Sequence, residues 1–272
     1  AEERLIELGQ EAIGACVATS AYKDRSSNSS TSSRPKRKGP GSNTLIEFCT
    51  DQDSNMGKVG KALGVNVVRL YKEALDLTNP AIVSQVADYI RENPGVSIWG
   101  SLPCTVWSSW QHMAIHKYGS KYLRRLQGRR RASLKLFRSF VDLAELVVAG
   151  GGEVIFEWPK DCIGWAQGPV SRFISEFSLS EGLCDGCAFG MCDHYGHPIL
   201  KPWRIVTTSK ALAWNLDNCR CKHERDFKHS ELAGSLTPQS AFYPPAMCTT
   251  ALYSLFPHTQ IKAPAMPTVP VS

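Results

Sequence analysis

From Thr44 onward, short apolar runs alternate with segments whose apolar residues recur every three to four positions, the pattern of buried strands connected by amphipathic helices. It predicts strands at 44–49, 66–71, 96–101, 153–157 and 203–208, and helices at 55–63, 80–92, 120–149 and 168–177, with a last one near 245–256. Strands separated by helices favour an α/β fold, a doubly wound and mostly parallel sheet, over residues 44–257. In such sheets ligands bind beyond the carboxyl ends of the strands, so those ends are where chemistry is sought. Residues 1–19 contain a short helical pattern (Leu5, Leu8, Ala12, Ile13, Cys16), and 258–272 form a Pro-rich tail. The stretch from Ser20 to Asn43 is dominated by Ser, Lys, Arg, Pro and Gly, and buries too little apolar surface to repay ordering, which predicts a disordered basic linker.

A length of 272 residues with 43% hydrophobic content accommodates one full α/β domain plus an appendage, rather than two large domains. There is no apolar run long enough to span a bilayer and no basic-then-apolar start, which predicts an intracellular protein. The net charge of +6 points towards nucleic acid until its position is considered. Lys23, Arg25, Arg34, Lys36, Arg37 and Lys38 face only Asp24 within the linker, so the remainder of the chain is close to neutral. Arg34-Pro-Lys-Arg-Lys38 reads either as a nuclear address, or phosphate-gripping tether, or as a solubilising linker.

Gly100-Ser-Leu-Pro-Cys104-Thr-Val-Trp-Ser108 places a cysteine in the loop after a buried strand, where helix N-termini favour the thiolate and raise nucleophilicity. Alone, Cys104 reads equally as a small buried hydrophobe. Glu153-Val-Ile-Phe-Glu157-Trp-Pro159 then delivers a carboxyl among apolar residues at a second strand end. There it serves either as an acid of raised pKa that protonates a ring nitrogen or as an N-cap or ion-pair partner.

The order of these motifs over about residues 44–209 resembles the C5-cytosine methyltransferase family, as a divergent member of the kind found in polyproteins of mobile genetic elements. Leu45-Ile-Glu47-Phe48-Cys-Thr-Asp51 is similar to the first strand and cofactor turn, and Asp76-Leu-Thr78 to the later acidic turn. Pro103-Cys104 resembles the nucleophile motif, Glu157 the carboxylate that contacts N3 of a flipped base, and Lys201-Pro-Trp-Arg204 the segment of the bracing arginine. The resemblance implies a class I methyltransferase, Rossmann-like domain. Its catalytic residues would be Cys104, Glu157 and Arg204, and Glu47, Phe48, Asp51, Asp76 and Pro103 would surround S-adenosylmethionine. The substrate implied is nucleic acid, DNA ahead of RNA. The chain departs from the family in a first turn without glycine before Gly57, in Arg69-Leu-Tyr71 where a ribose-binding carboxylate is expected, and in Trp158-Pro159 for the family's Asn-Val. These departures favour the alternative of a catalytically silent module that binds nucleic acid or a protein.

Ten cysteines without a secretory start argue against a disulfide scaffold. Cys184, Cys187, Cys192, His194 and His197, followed by Cys219, Cys221, His223 and His229, contain a single CxxC, short of a full zinc pattern, so they read first as separate thiols and surface histidines with no metal site assigned, and alternatively as a structural zinc site drawn from Cys184, Cys187, Cys219, Cys221, His223 and His229 in a zinc-stabilised interaction module. Arg124, Arg125 and Arg129 to Arg131 lie on a helix whose apolar face is Leu123, Leu126, Leu134, Phe137, Val141 and Val148, either a phosphate grip or a solvated face. Trp99, Trp107, Trp110 and Trp158 cluster in sequence around the proposed site, as base-stacking platforms or as packing.

Overall fold

The predicted strands at the centre of the sheet form where an apolar run is buried on both faces, whereas the predicted strand at 66–71 lies at an edge with one face only partly covered. The computed structural model describes residues 42–71, 73–232 and 241–257. The strands are β1 (Thr44–Thr50), β2 (Asn66–Tyr71), β3 (Ser97–Gly100), β4 (Val154–Pro159), β5 (Ser180–Asp185) and β6 (Pro202–Thr207). The helices are α1 (Asn55–Leu63), α2 (Pro80–Glu92), α3 (Gln111–Ala149), α4 (Gly168–Glu176), α5 (Lys210–Asp217) and α6 (Pro245–Leu255). The helical pattern of residues 3–19, most of the linker and the tail lie outside the described residues.

The sheet runs β2-β1-β3-β4-β6-β5. β1 pairs in parallel with β2 and β3, and β3 with β4, whereas β6 is antiparallel to both β4 and β5. This is an α/β fold with a six-stranded mixed, mostly parallel sheet and flanking helices, compatible with a Rossmann-like fold. The chain leaves β1 towards β2 on one side and returns to β3 on the other, so the winding reverses between β1 and β3, and the carboxyl ends of these two strands are where sheets of this kind bind ligands.

Two apolar layers cover the sheet. On one face Phe48, Ile98, Phe156 and Trp158 pack with Ile82, Val86 and Ile90 of α2, Phe137, Phe140, Leu143 and Val147 of α3, and Phe173 of α4. On the other, Leu45, Trp99, Ile155, Trp203 and Ile205 pack with Met56 and Leu63 of α1, Leu212 and Leu216 of α5, and Met247 and Leu252 of α6. The buried stripe of α3 shifts from the predicted one: Leu126 and Phe137 face inward, but Val148 is exposed and Phe140, Leu143, Ala144 and Val147 carry the packing. Within α3 the backbone leaves helical geometry at Gly119 (φ 65°, ψ −156°), so a first helical segment from Gln111, which the sequence pattern does not predict, is followed by a second that begins at the predicted position 120. Gly100 closes β3 where a Cβ would lie 2.7 Å from Phe140, so the strand end sits directly on α3. Among the described residues no helix is long and apolar enough to cross a membrane.

Candidate active site

The loop after β3 is held by its carbonyls. Trp158 Nε1 donates to Leu102 O (2.8 Å), Gln111 Nε2 to Thr105 O (2.7 Å) and Arg130 Nε to Val106 O (3.0 Å), and Trp107 N donates to Cys104 O (2.8 Å) in a 3-10 turn at Thr105–Trp107. Trp107 is buried, its indole donating to Ser133 Oγ (2.9 Å), with the Arg130 guanidinium 5.1 Å from its ring centre. Cys104, half-buried, is thereby fixed at the carboxyl end of β3, beside the next parallel strand.

That next strand carries Glu157, 8% exposed, on the face shared with Trp99 and Ile205. Its Oε1 accepts a hydrogen bond from Tyr243 Oη (2.5 Å). The Tyr243 oxygen in turn accepts from Trp99 Nε1 (3.1 Å) and lies 2.8 Å from Ser101 Oγ. Because a phenol has one proton, and that one goes to Glu157, the serine is the donor of the last pair. Glu157 Oε2 is buried with no hydrogen-bond partner. An orphan carboxylate oxygen in an apolar wall favours the neutral acid, and burial raises the Glu157 pKa against the opposing effects of Tyr243 and Lys201.

Cys104, Glu157 and Lys201 interact electrostatically. Burial, then the neighbouring Glu157, raises the Cys104 pKa, while Lys201 lowers it. Burial depresses the Lys201 pKa against the pull of Glu157 and Cys104, and its Nζ lies 4.9 Å from the Trp203 ring centre. The expected thiolate-favouring helix terminus at Cys104 is therefore corrected: desolvation dominates, and the resting group is the thiol. A second thiol, Cys162, sits near both groups and is pushed up to about 12, first by burial.

Compared with known proteins, the chain matches no protein-family model and no curated protein. The site therefore rests on its own geometry.

Of the three predicted catalytic residues, the structure places Cys104 and Glu157 at the ends of neighbouring strands, within electrostatic reach of each other, but turns Arg204 away. In β6 Arg204 pairs with Trp158, one residue from Glu157 and so on the opposite face. There its guanidinium binds Glu181 (2.5 and 2.7 Å) and stacks 4.6 Å from the Trp165 ring centre. Lys201, just before β6, is the cation that reaches the pair. Nothing in the local sequence around Tyr243 distinguishes a phenol that pairs across 86 positions.

The predicted cofactor residues divide the same way. Asp51, Asp76 and Pro103 are exposed after β1, after β2 and after β3. Asp76 is held below the usual carboxylate range by the hydroxyl and backbone N–H of Thr78. Phe48 is fully buried against Phe140, and Glu47 is 1% exposed beneath α1, so the side chains of both are interior. Glu47 instead accepts from Ser54 Oγ (2.6 Å), whose oxygen also caps Gly57 N at the start of α1. At the end of β1, Cys49 adopts φ 67°, a left-handed conformation that a glycine would take without strain. Trp99, Trp107 and Trp158 are buried packing; of the four clustered tryptophans Trp110 alone is exposed, at 70%.

Burial raises the Glu47 pKa from 4.5 to about 7 despite the Ser54 hydrogen bond. Between those values the folded state keeps a proton that the unfolded chain has lost, so stability falls as pH rises and levels off above about 7. The span amounts to about 3 kcal/mol at about 1.4 kcal/mol per unit. Denaturant unfolding at pH 5 and pH 8 is expected to show this loss, and Glu47→Gln to remove most of it.

Proposed function

We propose that this chain is an S-adenosylmethionine-dependent cytosine C5-methyltransferase-like domain acting on nucleic acid, with Cys104 as nucleophile and Glu157 as the acid that binds N3 of the base. The observation that carries the reading is Glu157 itself: a buried carboxyl with one oxygen fixed by Tyr243 and the other left without a partner, interacting with a half-buried thiol and an ammonium group. The doubly wound strand order, with its reversal between β1 and β3, supports the finer assignment to a class I methyltransferase type of sheet.

Attack at C6 of cytosine needs the base out of its stack and its Watson–Crick edge read inside a pocket. Cys104 loses its proton to water, the Lys201 ammonium offsetting part of the cost of the buried thiolate, and Sγ bonds to C6. Glu157 gives its Oε2 proton to N3, so the ring takes up the electron pair without full negative charge and C5 becomes nucleophilic. S-adenosylmethionine, when bound, supplies the electrophilic methyl group. Loss of the C5 proton to water then expels the Cys104 thiolate, and Glu157 recovers its proton from N3.

The residues at these strand ends fit that cosubstrate in kind. Asp51 and Asp76 offer exposed carboxylates to ammonium and hydroxyl groups, and the left-handed turn at Cys49 supplies a bend otherwise left to glycine. Nucleic acid as partner is supported by the exposed Trp110 and Tyr118, with Lys117 and the arginines of α3, immediately after the Cys104 loop.

A specific feature favours the second reading, a silent methyltransferase-like binding module. The Arg69 side chain lies across the first turn, hydrogen-bonded to Gln52 O and packed on Gly57. Titration calorimetry with S-adenosylmethionine and its demethylated product separates the two. Micromolar binding, about −8 kcal/mol, is expected for an active domain. A folded chain that binds neither ligand is the silent module.

A further inference from the structure

We propose that Cys187, Cys221, His223 and His229 form a closed, structural zinc site that staples the loop after α5 to the turn after β5. The donor atoms of these four residues all lie within 4.8 Å of one another. Cys221 Sγ is 3.3 Å from His223 Nδ1 and 3.4 Å from His229 Nε2, and the two nitrogens are 3.2 Å apart. A tetrahedral zinc with bonds of about 2.3 Å to sulfur and about 2.0–2.1 Å to nitrogen sets edges of about 3.6 Å (S–N) and about 3.4 Å (N–N), close to those separations. Hydrogen bonding accounts for the triangle poorly. Each ring nitrogen offers one proton or one in-plane lone pair, so a single partner is served well and another edge is left weak. Lone pairs converging on one cation satisfy all of them.

The surroundings are built to hold this geometry. Asp185, 5% exposed, accepts from Cys221 N (2.8 Å) and from Arg220 Nε (3.1 Å), and its own N–H donates to Cys219 O (3.0 Å). Phe227 stacks on the His223 ring at 4.1 Å. Ser230 ties the far end of the loop to Asp193 Oδ2 (2.9 Å) and Pro198 O (2.8 Å). Between Asp217 and Leu232 no residue is buried, so apolar packing does not fix this loop and a metal bond is the fastening its composition calls for. The other thiols fall away from the cluster: Cys184 is fully buried in the core layer beneath α5, and Cys219 Sγ turns back to Asn215 O. The reading of these residues as separate thiols and histidines is thereby revised.

Four protein ligands leave no open position, which assigns the ion a structural rather than a catalytic part. Its effect still reaches the candidate active site. The turn carrying Cys187 donates Gly186 N to Leu200 O (2.6 Å) and Lys201 O (3.1 Å), and Lys201 is held at φ 24° next to Glu157 and Cys104.

The test uses the full chain purified without chelator. Elemental analysis is expected to find about one equivalent of zinc, and cobalt substitution the visible d–d bands and thiolate charge-transfer absorption of a tetrahedral site. Cys221→Ser and His229→Ala should lower zinc below about a tenth of an equivalent, with a lower melting temperature, whereas Cys219→Ser and Cys192→Ser retain the metal. A folded chain that takes up neither zinc nor cobalt overturns the proposal, as does loss of metal in Cys219→Ser with retention in Cys221→Ser. If Cys221→Ser does not fold, the cobalt spectrum of the unaltered chain decides alone: thiolate charge transfer upholds the site and its absence rejects it.

Discussion

Cys104→Ser is expected to abolish covalent capture of an oligonucleotide carrying a mechanism-based cytosine analogue and to lower methyl transfer by at least about a thousandfold, about 4 kcal/mol of barrier. The exchange replaces sulfur by oxygen in a loop held by the carbonyls of Leu102, Thr105 and Val106, none of which involves the thiol. The fold should therefore persist, and circular dichroism and melting temperature should stay close to those of the parent. Capture that continues unchanged in the serine variant would remove Cys104 from the mechanism. A burial-raised thiol pKa adds a second signature, because the attacking thiolate is scarce at neutral pH and its formation should give the capture rate an ascending limb with pH.

Glu157→Gln should cost about a hundredfold to ten-thousandfold in methyl transfer, the range ordinarily supplied by a positioned general acid. The amide keeps the shape and still accepts the Tyr243 hydrogen bond through oxygen, but it has no proton of comparable acidity to give to N3. The sign of the pH dependence follows from burial. Because burial raises the Glu157 pKa, the proton is retained above the ordinary carboxylate range, the working acid is present at low pH, and activity declines as pH rises through the folded value. In Glu157→Gln that descending limb should vanish from the kcat profile. A descending limb of unchanged position in the variant would assign it to another group. Folding free energy should respond in the same sense, since a buried carboxyl that must ionise at high pH destabilises the native state there and the amide does not.

The candidate site is partly legible in the residues themselves. Cys104 and Glu157 stand at the ends of continuous apolar runs, and a polar group in that position is costly to bury without purpose. Which cation lies near the pair is not legible in the sequence, because strand alternation, not composition, decides which face a side chain occupies. Arg204 is paired with Trp158 and not with Glu157, so its charge goes to Glu181 on the far side of the sheet while Lys201 takes the near one. Likewise β5 escaped prediction, since Ser180-Glu-Gly-Leu-Cys-Asp185 is an edge strand without a sustained apolar run, and edge strands draw their stability from one neighbour instead of from burial on both faces.

What the sequence determined alone was the set of central strands and major helices, because burial on both sides of a sheet, or along one helix stripe, writes a period into the chain. The tertiary structure decided every relation that depends on groups far apart in sequence. The Tyr243 phenol meets Glu157 across 86 positions, Cys187 joins Cys221, His223 and His229, and Glu47 turns inward under α1 to Ser54 and not outward to a ligand. No local period encodes such meetings. They follow from the order in which the strands assemble, and that order is set by packing of the whole domain.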